Sequence, residues 1–164
     1  MKKFVLLAGV ASLVAFNANA TELSASSNIK AKIVESMTFS HDAADVLNFG
    51  TFMASANHTV SLTSGAVRSS TDGGQLVDDS NTPTVDQFKI TSPDARSVTL
   101  NVATPAKVGV AGLVPTLETD PALTGGKISL QEGDNIFKVY GDLAVSQGAT
   151  AGDYTEPYTI TLTY

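Results

Sequence analysis

The sequence predicts an all-β protein, a single immunoglobulin-like β-sandwich of about eight or nine short strands. Three observations carry that prediction. Apolar residues recur with a period of two along most of the chain, and turn formers break the runs every 8–15 residues or so. The third is compositional: charged residues make up only 16% of the 164, against about 25% in an ordinary soluble domain. Thr and Ser take their place, which is how a pleated sheet acquires polar faces without Lys and Glu. No capped helical stripe of i, i+3, i+4, i+7 apolar residues occurs after the first twenty positions.

Those first twenty residues read as a secretory signal. Lys2 and Lys3 form a basic start, Phe4 to Phe16 carry no charge, and Ala18-Asn19-Ala20 offers the small-x-small cleavage pattern. The apolar run is too short to span a bilayer, which takes about 20 helical residues, and no second long run follows. Cleavage would leave residues 21–164 and move the formal charge from −6 to −8. Export without cysteine fits the periplasm, cell surface or a fimbrium of a Gram-negative bacterium, where packing and sheet hydrogen bonds must supply the stability.

Strand elements follow in order. Ile29, Ala31 and Ile33 alternate with Lys30 and Lys32, and Leu47 to Met53 forms the next run. Val60-Ser61-Leu62-Thr63, Phe88-Lys89-Ile90-Thr91 and Val98 to Val102 repeat the pattern. Then come Ile128-Ser129-Leu130, Ile136 to Tyr140 and Leu143-Ala144-Val145. The clearest run is the last, where Tyr158, Ile160, Leu162 and Tyr164 alternate with Thr159, Thr161 and Thr163. Turns are expected at Asp72-Gly73-Gly74, Asn81-Thr82-Pro83, Ser92-Pro93-Asp94, Gly125-Gly126, Gly133-Asp134-Asn135 and 148–153. Residues 65–85 and 111–126 show the weakest pattern and are expected to be surface loops. Pro157 belongs at the start or edge of the last strand, since it cannot donate to a ladder.

Catalytic patterns are missing. With no cysteine, thiol catalysis, Cys-ligated zinc, iron–sulfur clusters and disulfides are excluded. The acidic balance argues against binding nucleic acid, which draws on clustered Lys and Arg. His41 with Asp42 and Asp45 has a spacing suited to a helix face rather than a strand, so a polar turn is the simpler reading. His58 is expected at a hairpin tip leading into Val60. Asp72, Asp78, Asp79 and Asn81 cluster in one loop, but without the D-x-[DN]-x-[DN]-G register of a calcium loop. No G-x-S-x-G elbow or P-loop occurs. The sequence therefore predicts no enzyme, no cofactor and no metal.

Function is expected instead at the termini. Leu23, Ala25, Ser27, Ile29, Ala31 and Ile33 alternate and would suit strand exchange, in which the segment leaves its own domain and fills a groove in the next copy. The same residues, from Ile29 on, could equally be the first strand of their own sandwich. Tyr158, Ile160, Leu162 and Tyr164 form the other candidate assembly strand. An alternating last strand ending in an aromatic also admits a small outer-membrane β-barrel, but such barrels need strands of about ten residues and aromatic girdles. Most runs here are four to six residues long and tryptophan is absent.

Several motifs together resemble a known family. These are the leader, Leu47-Asn48-Phe49-Gly50 (an L-x-F-G motif), the Val60-Ser61-Leu62 strand, Gly65-Ala66-Val67-Arg68-Ser69, the Phe88 strand, and Gly152-Asp153-Tyr154 before the strand ending in Tyr164. They resemble a family of bacterial exported domains of unknown function, similar to fimbrial subunits and spore-coat-protein-U-like secreted pilins. Near the end, Tyr154-Thr155 is followed by Glu156-Pro157-Tyr158, where the family usually has Gly after Tyr-Thr or Tyr-Ser. The resemblance implies a sandwich with a structural or adhesive surface role, and partners that are copies of itself or a pilus-type chaperone or usher. It brings no catalytic residues. A binding module for glycans, using the loops at 65–85 and 111–126, is the alternative.

Overall fold

In the computed structural model of the chain, residues 30–31, 36–41 and 44–164 are described. Two units separate, Met1–Ile33 and Val34–Tyr164. Of the first, only Lys30 and Ala31 are described, both exposed and outside regular structure. The expected leader and the candidates Leu23, Ala25, Ile29 and Ile33 lie outside the described residues.

The second unit is built from antiparallel strands, as the period-two pattern requires. They are β1 (Thr38–His41), β2 (Thr51–Phe52), β3 (His58–Leu62), β4 (Arg68–Ser70), β5 (Leu76–Val77), β6 (Asp86–Ser92), β7 (Arg96–Ala103), β8 (Leu113–Asp120), β9 (Lys127–Leu130), β10 (Gly133–Val145) and β11 (Thr159–Thr163). A 3-10 turn at Gly73–Gln75 precedes β5. The strands form open sheets of six, three and two members, and no barrel closes. The outer-membrane barrel is therefore not the architecture of the described residues.

β10 is the spine of the large sheet. Its first half, Gly133 to Val139, pairs with β6, which in turn pairs with the edge strand β1. Its second half pairs with β3 on one side and β8 on the other. Against the first half lies the small sheet, ordered β11-β7-β9. Inward side chains of both sheets meet there: Phe88, Ile90, Phe137 and Val139 from one, Val98, Leu100, Ile128 and Leu130 from the other. This is a β-sandwich, held by burial of alternate positions.

The second half of β10 is covered differently. Val60, Leu113, Leu143 and Val145 make a separate cluster. What packs on it comes from the β2–β5 ribbon and from irregular stretches, including Phe49, Phe52, Val108, Val110 and Tyr154.

Several local expectations change. Residues 111–126 are only partly loop: β8 occupies half of them, with Leu113, Pro115 and Thr119 buried and Leu117 half-buried. The period of two was present, but a Pro and a Thr at inward positions concealed it. Residues 65–85 are also only partly loop, because β4, the 3-10 turn and β5 fall within them. Gly133-Asp134-Asn135 begins β10 rather than forming a turn, and the two runs expected at 136–140 and 143–145 are one strand. The Leu47–Met53 run shortens to a bridge from Asn48 to Thr84 and the two residues of β2.

Candidate functional site

A groove of about 990 Å³ lies over β8 and the second half of β10. Leu113, Pro115, Leu117 and Leu143 line its floor, residues 46–55 one wall and residues 149–156 with Tyr158 the other. Charged side chains in the lining are Asp153 and Glu156, with no Lys or Arg. It is an apolar trough with an acidic rim.

Each wall is held by its own motif. In the L-x-F-G segment, the Asn48 side chain accepts from the Gly50 N–H at 2.9 Å and donates to Asn81 Oδ1 at 2.7 Å and to the Thr82 carbonyl at 3.0 Å. Gly50 has φ +72°, and a Cβ there would run into the Arg68 guanidinium. Arg68, with a side chain 8% exposed, donates to the carbonyls of Thr51 and Val77, both at 2.9 Å. A buried guanidinium so satisfied staples residues 49–51 to β4 and β5. On the other wall, the Tyr154 hydroxyl donates to the Thr150 carbonyl at 3.0 Å, and Glu156 accepts from the Gly109 N–H at 3.3 Å.

A second cluster sits where β1, β6 and the approach to β11 meet. Asp86 is 4% exposed. His41 Nε2 lies 2.7 Å from Asp86 Oδ1 and 2.8 Å from the Asp45 carbonyl, and the Tyr158 hydroxyl donates to Asp86 Oδ2. The His41 ring stacks on Phe88 with centroids 4.5 Å apart. Burial pulls the His41 pKa down, but the bond to Asp86, the Asp45 carbonyl and the nearby charges outweigh it, so the net shift is upward. Burial, then the bond to Asp86, push the Tyr158 phenol far above its ordinary value. The cluster ties two strand edges together through one buried carboxylate. A shallow depression of about 480 Å³ beside it is lined by Ser40, His41, Lys89 and Ile136 among others.

The predicted site residues fall as follows. Tyr158 joins both the groove wall and the Asp86 cluster. Ile160 and Leu162 face the sandwich core but stay half-buried, and Tyr164 is 73% exposed. Pro157 lies two residues before β11, as the ladder argument requires. His41 ends β1 rather than making a turn, and Asp42 lies outside the described residues. His58 is not at a hairpin tip but buried at the start of β3, with Nδ1 3.0 Å from the Ala56 carbonyl and no partner for Nε2. The acids of the 72–81 loop serve locally: Asp72 caps the 3-10 turn, Asp78 pairs with Arg68 at 3.4 Å, and Asp79 accepts from the Asn81 N–H at 2.8 Å. Among the described residues no three acidic or histidine side chains gather as a metal site would require.

Sequence reasoning missed Asp86. Its signal was its phase: it shares the inward register of Phe88 and Ile90 on β6, and a carboxylate in a core phase needs partners. The groove had no local signal, because its walls come from segments a hundred residues apart.

No curated protein and no solved structure matches the chain. A family model does match, over residues 37–164, which takes in every strand described above and both the L-x-F-G and Gly152-Asp153-Tyr154 segments. The chain belongs to the family described as "Domain of unknown function (DUF4402)".

Proposed function

We propose that this chain is an exported, non-enzymatic structural or adhesive subunit of the fimbrial kind, which assembles by strand addition between copies. The alternating segment of residues 23–33 is the donor, and the groove over β8 is the acceptor. One observation carries the reading. Half of the large sheet is faced by a second sheet, while the other half is faced by irregular segments that leave a trough of about 990 Å³. An extended segment with an apolar residue at every second position is the shape that fits beside such a floor. β8 supports this, since among the described residues it pairs only with β10. Handling by a pilus-type chaperone or usher would follow, as the edge of β8 away from β10 invites aggregation before assembly.

The test compares residues 21–164 with a variant lacking 21–35, by light scattering and electron microscopy. The longer chain is expected to form oligomers or filaments, and the shorter to stay monomeric. If both are equally stable monomers and no filament forms, strand exchange is wrong. The glycan-binding alternative has less to stand on, because β8 fills half of one of its two loops.

A further inference from the structure

We infer that the docking of residues 29–33 of one copy into the groove of another is selected by charge, with Lys30 and Lys32 of the donor facing Asp153 and Glu156 on the acceptor rim. This rests on the strand-addition reading and names what would make the groove prefer its own family's segment to any other apolar strand. Three facts converge on it. First, the groove lining carries two acids and no base, in a chain whose formal charge without residues 1–20 is −8. A generic acidic strand would be repelled.

Second, the donor segment is a local exception to that balance. Between Ile29 and Ile33 it holds two lysines and no acid. Third, the phases agree. In an extended strand Ile29, Ala31 and Ile33 point to one side and Lys30 and Lys32 to the other. Five such residues span about 13 Å from first to last, the same length as Leu113 to Leu117, whose three inward positions line the floor. Apolar side chains on the floor therefore leave both lysines toward the rim and solvent. Exposed pairs of this kind contribute little to stability, but they discriminate between partners and speed encounter.

The experiment uses residues 21–164 throughout and follows assembly by light scattering at low and at high salt. Asp153→Lys with Glu156→Lys is expected to weaken assembly by roughly two- to thirtyfold, the factor two exposed pairs carry. Lys30→Glu with Lys32→Glu should do the same alone. The decisive arm mixes the two variants: the reversed donor and reversed groove should recover assembly together, and added salt should flatten all these differences. If the unaltered chain assembles and the reversals change nothing, or the mixture fails to recover, the charge selection is wrong while strand addition stands. If the unaltered chain never assembles, both fall. A reversal that shifts only a concentration-independent melting of the monomer would place the segment in its own groove, and overturns docking between copies.

Discussion

At the scale of single residues, Asp86 shows how a charge survives in a core. Its carboxylate is 4% exposed, yet one oxygen meets His41 Nε2 at 2.7 Å and the other accepts from Tyr158. Replacing Tyr158 with Phe would leave the second oxygen unpaired, at a cost of about 1–3 kcal/mol, read from urea unfolding. An unchanged midpoint would show that the bond contributes nothing. His41 adds a pH dependence whose sign follows from its upward shift. The folded state favours the charged imidazole, so this stabilisation is complete below the unfolded pKa of about 6.5 and fades as pH rises through the higher folded value. Melting of the natural chain against His41→Gln should therefore differ most near pH 5 and converge toward pH 8.5 or so. A gap that stays constant across that range would refute the charge pairing. None of these partners was visible in the sequence, since Asp86 and Tyr158 lie 72 positions apart.

At the scale of elements, β10 joins two differently covered halves of one sheet and β8 sits directly against it. Their contact depends on Gly141, which lies in mid-strand at φ +145°, where a Cβ would fall on the Thr116 carbonyl oxygen of β8. Gly141→Ala should cost at least about 1–3 kcal/mol by strain and displacement of β8. Circular dichroism melts would measure it, and a neutral result would mean that β8 does not pack as described. This pairing also explains why the stretch at 111–126 was misread from sequence. Pro115 and Thr119 occupy inward positions of β8, residues that usually mark turns and surfaces. The apolar alternation survives only as Leu113 and Leu117, too sparse a signal without the neighbouring strand. The opposite holds for β11, where Ile160 and Leu162 alternate with three threonines and the strand was legible outright.

At the scale of the whole molecule, two apolar clusters share one strand: Phe137 and Val139 belong to the first, Leu143 and Val145 to the second. Because β10 runs through both, they should melt together. Phe137→Ala, at about 3–5 kcal/mol, and Leu143→Ala, at about 2–5 kcal/mol, should each lower a single calorimetric transition rather than split it. Two separate transitions in either variant would show independent halves. With no cysteine in the chain, this shared burial and the ladders are what hold the sandwich. The all-β class, most strands and the polar Thr faces follow from the sequence alone, because a period of two is a local property of the backbone and each side chain reports its own phase. The L-x-F-G and Gly152-Asp153-Tyr154 segments were likewise visible as motifs. Only the tertiary structure decided that these two segments are opposite walls of one trough, that β8 is its floor, and that Asp86 binds two strand edges. Those are contacts between residues far apart in the chain, set by which sheets pair and where a facing strand is missing, and no local pattern encodes them.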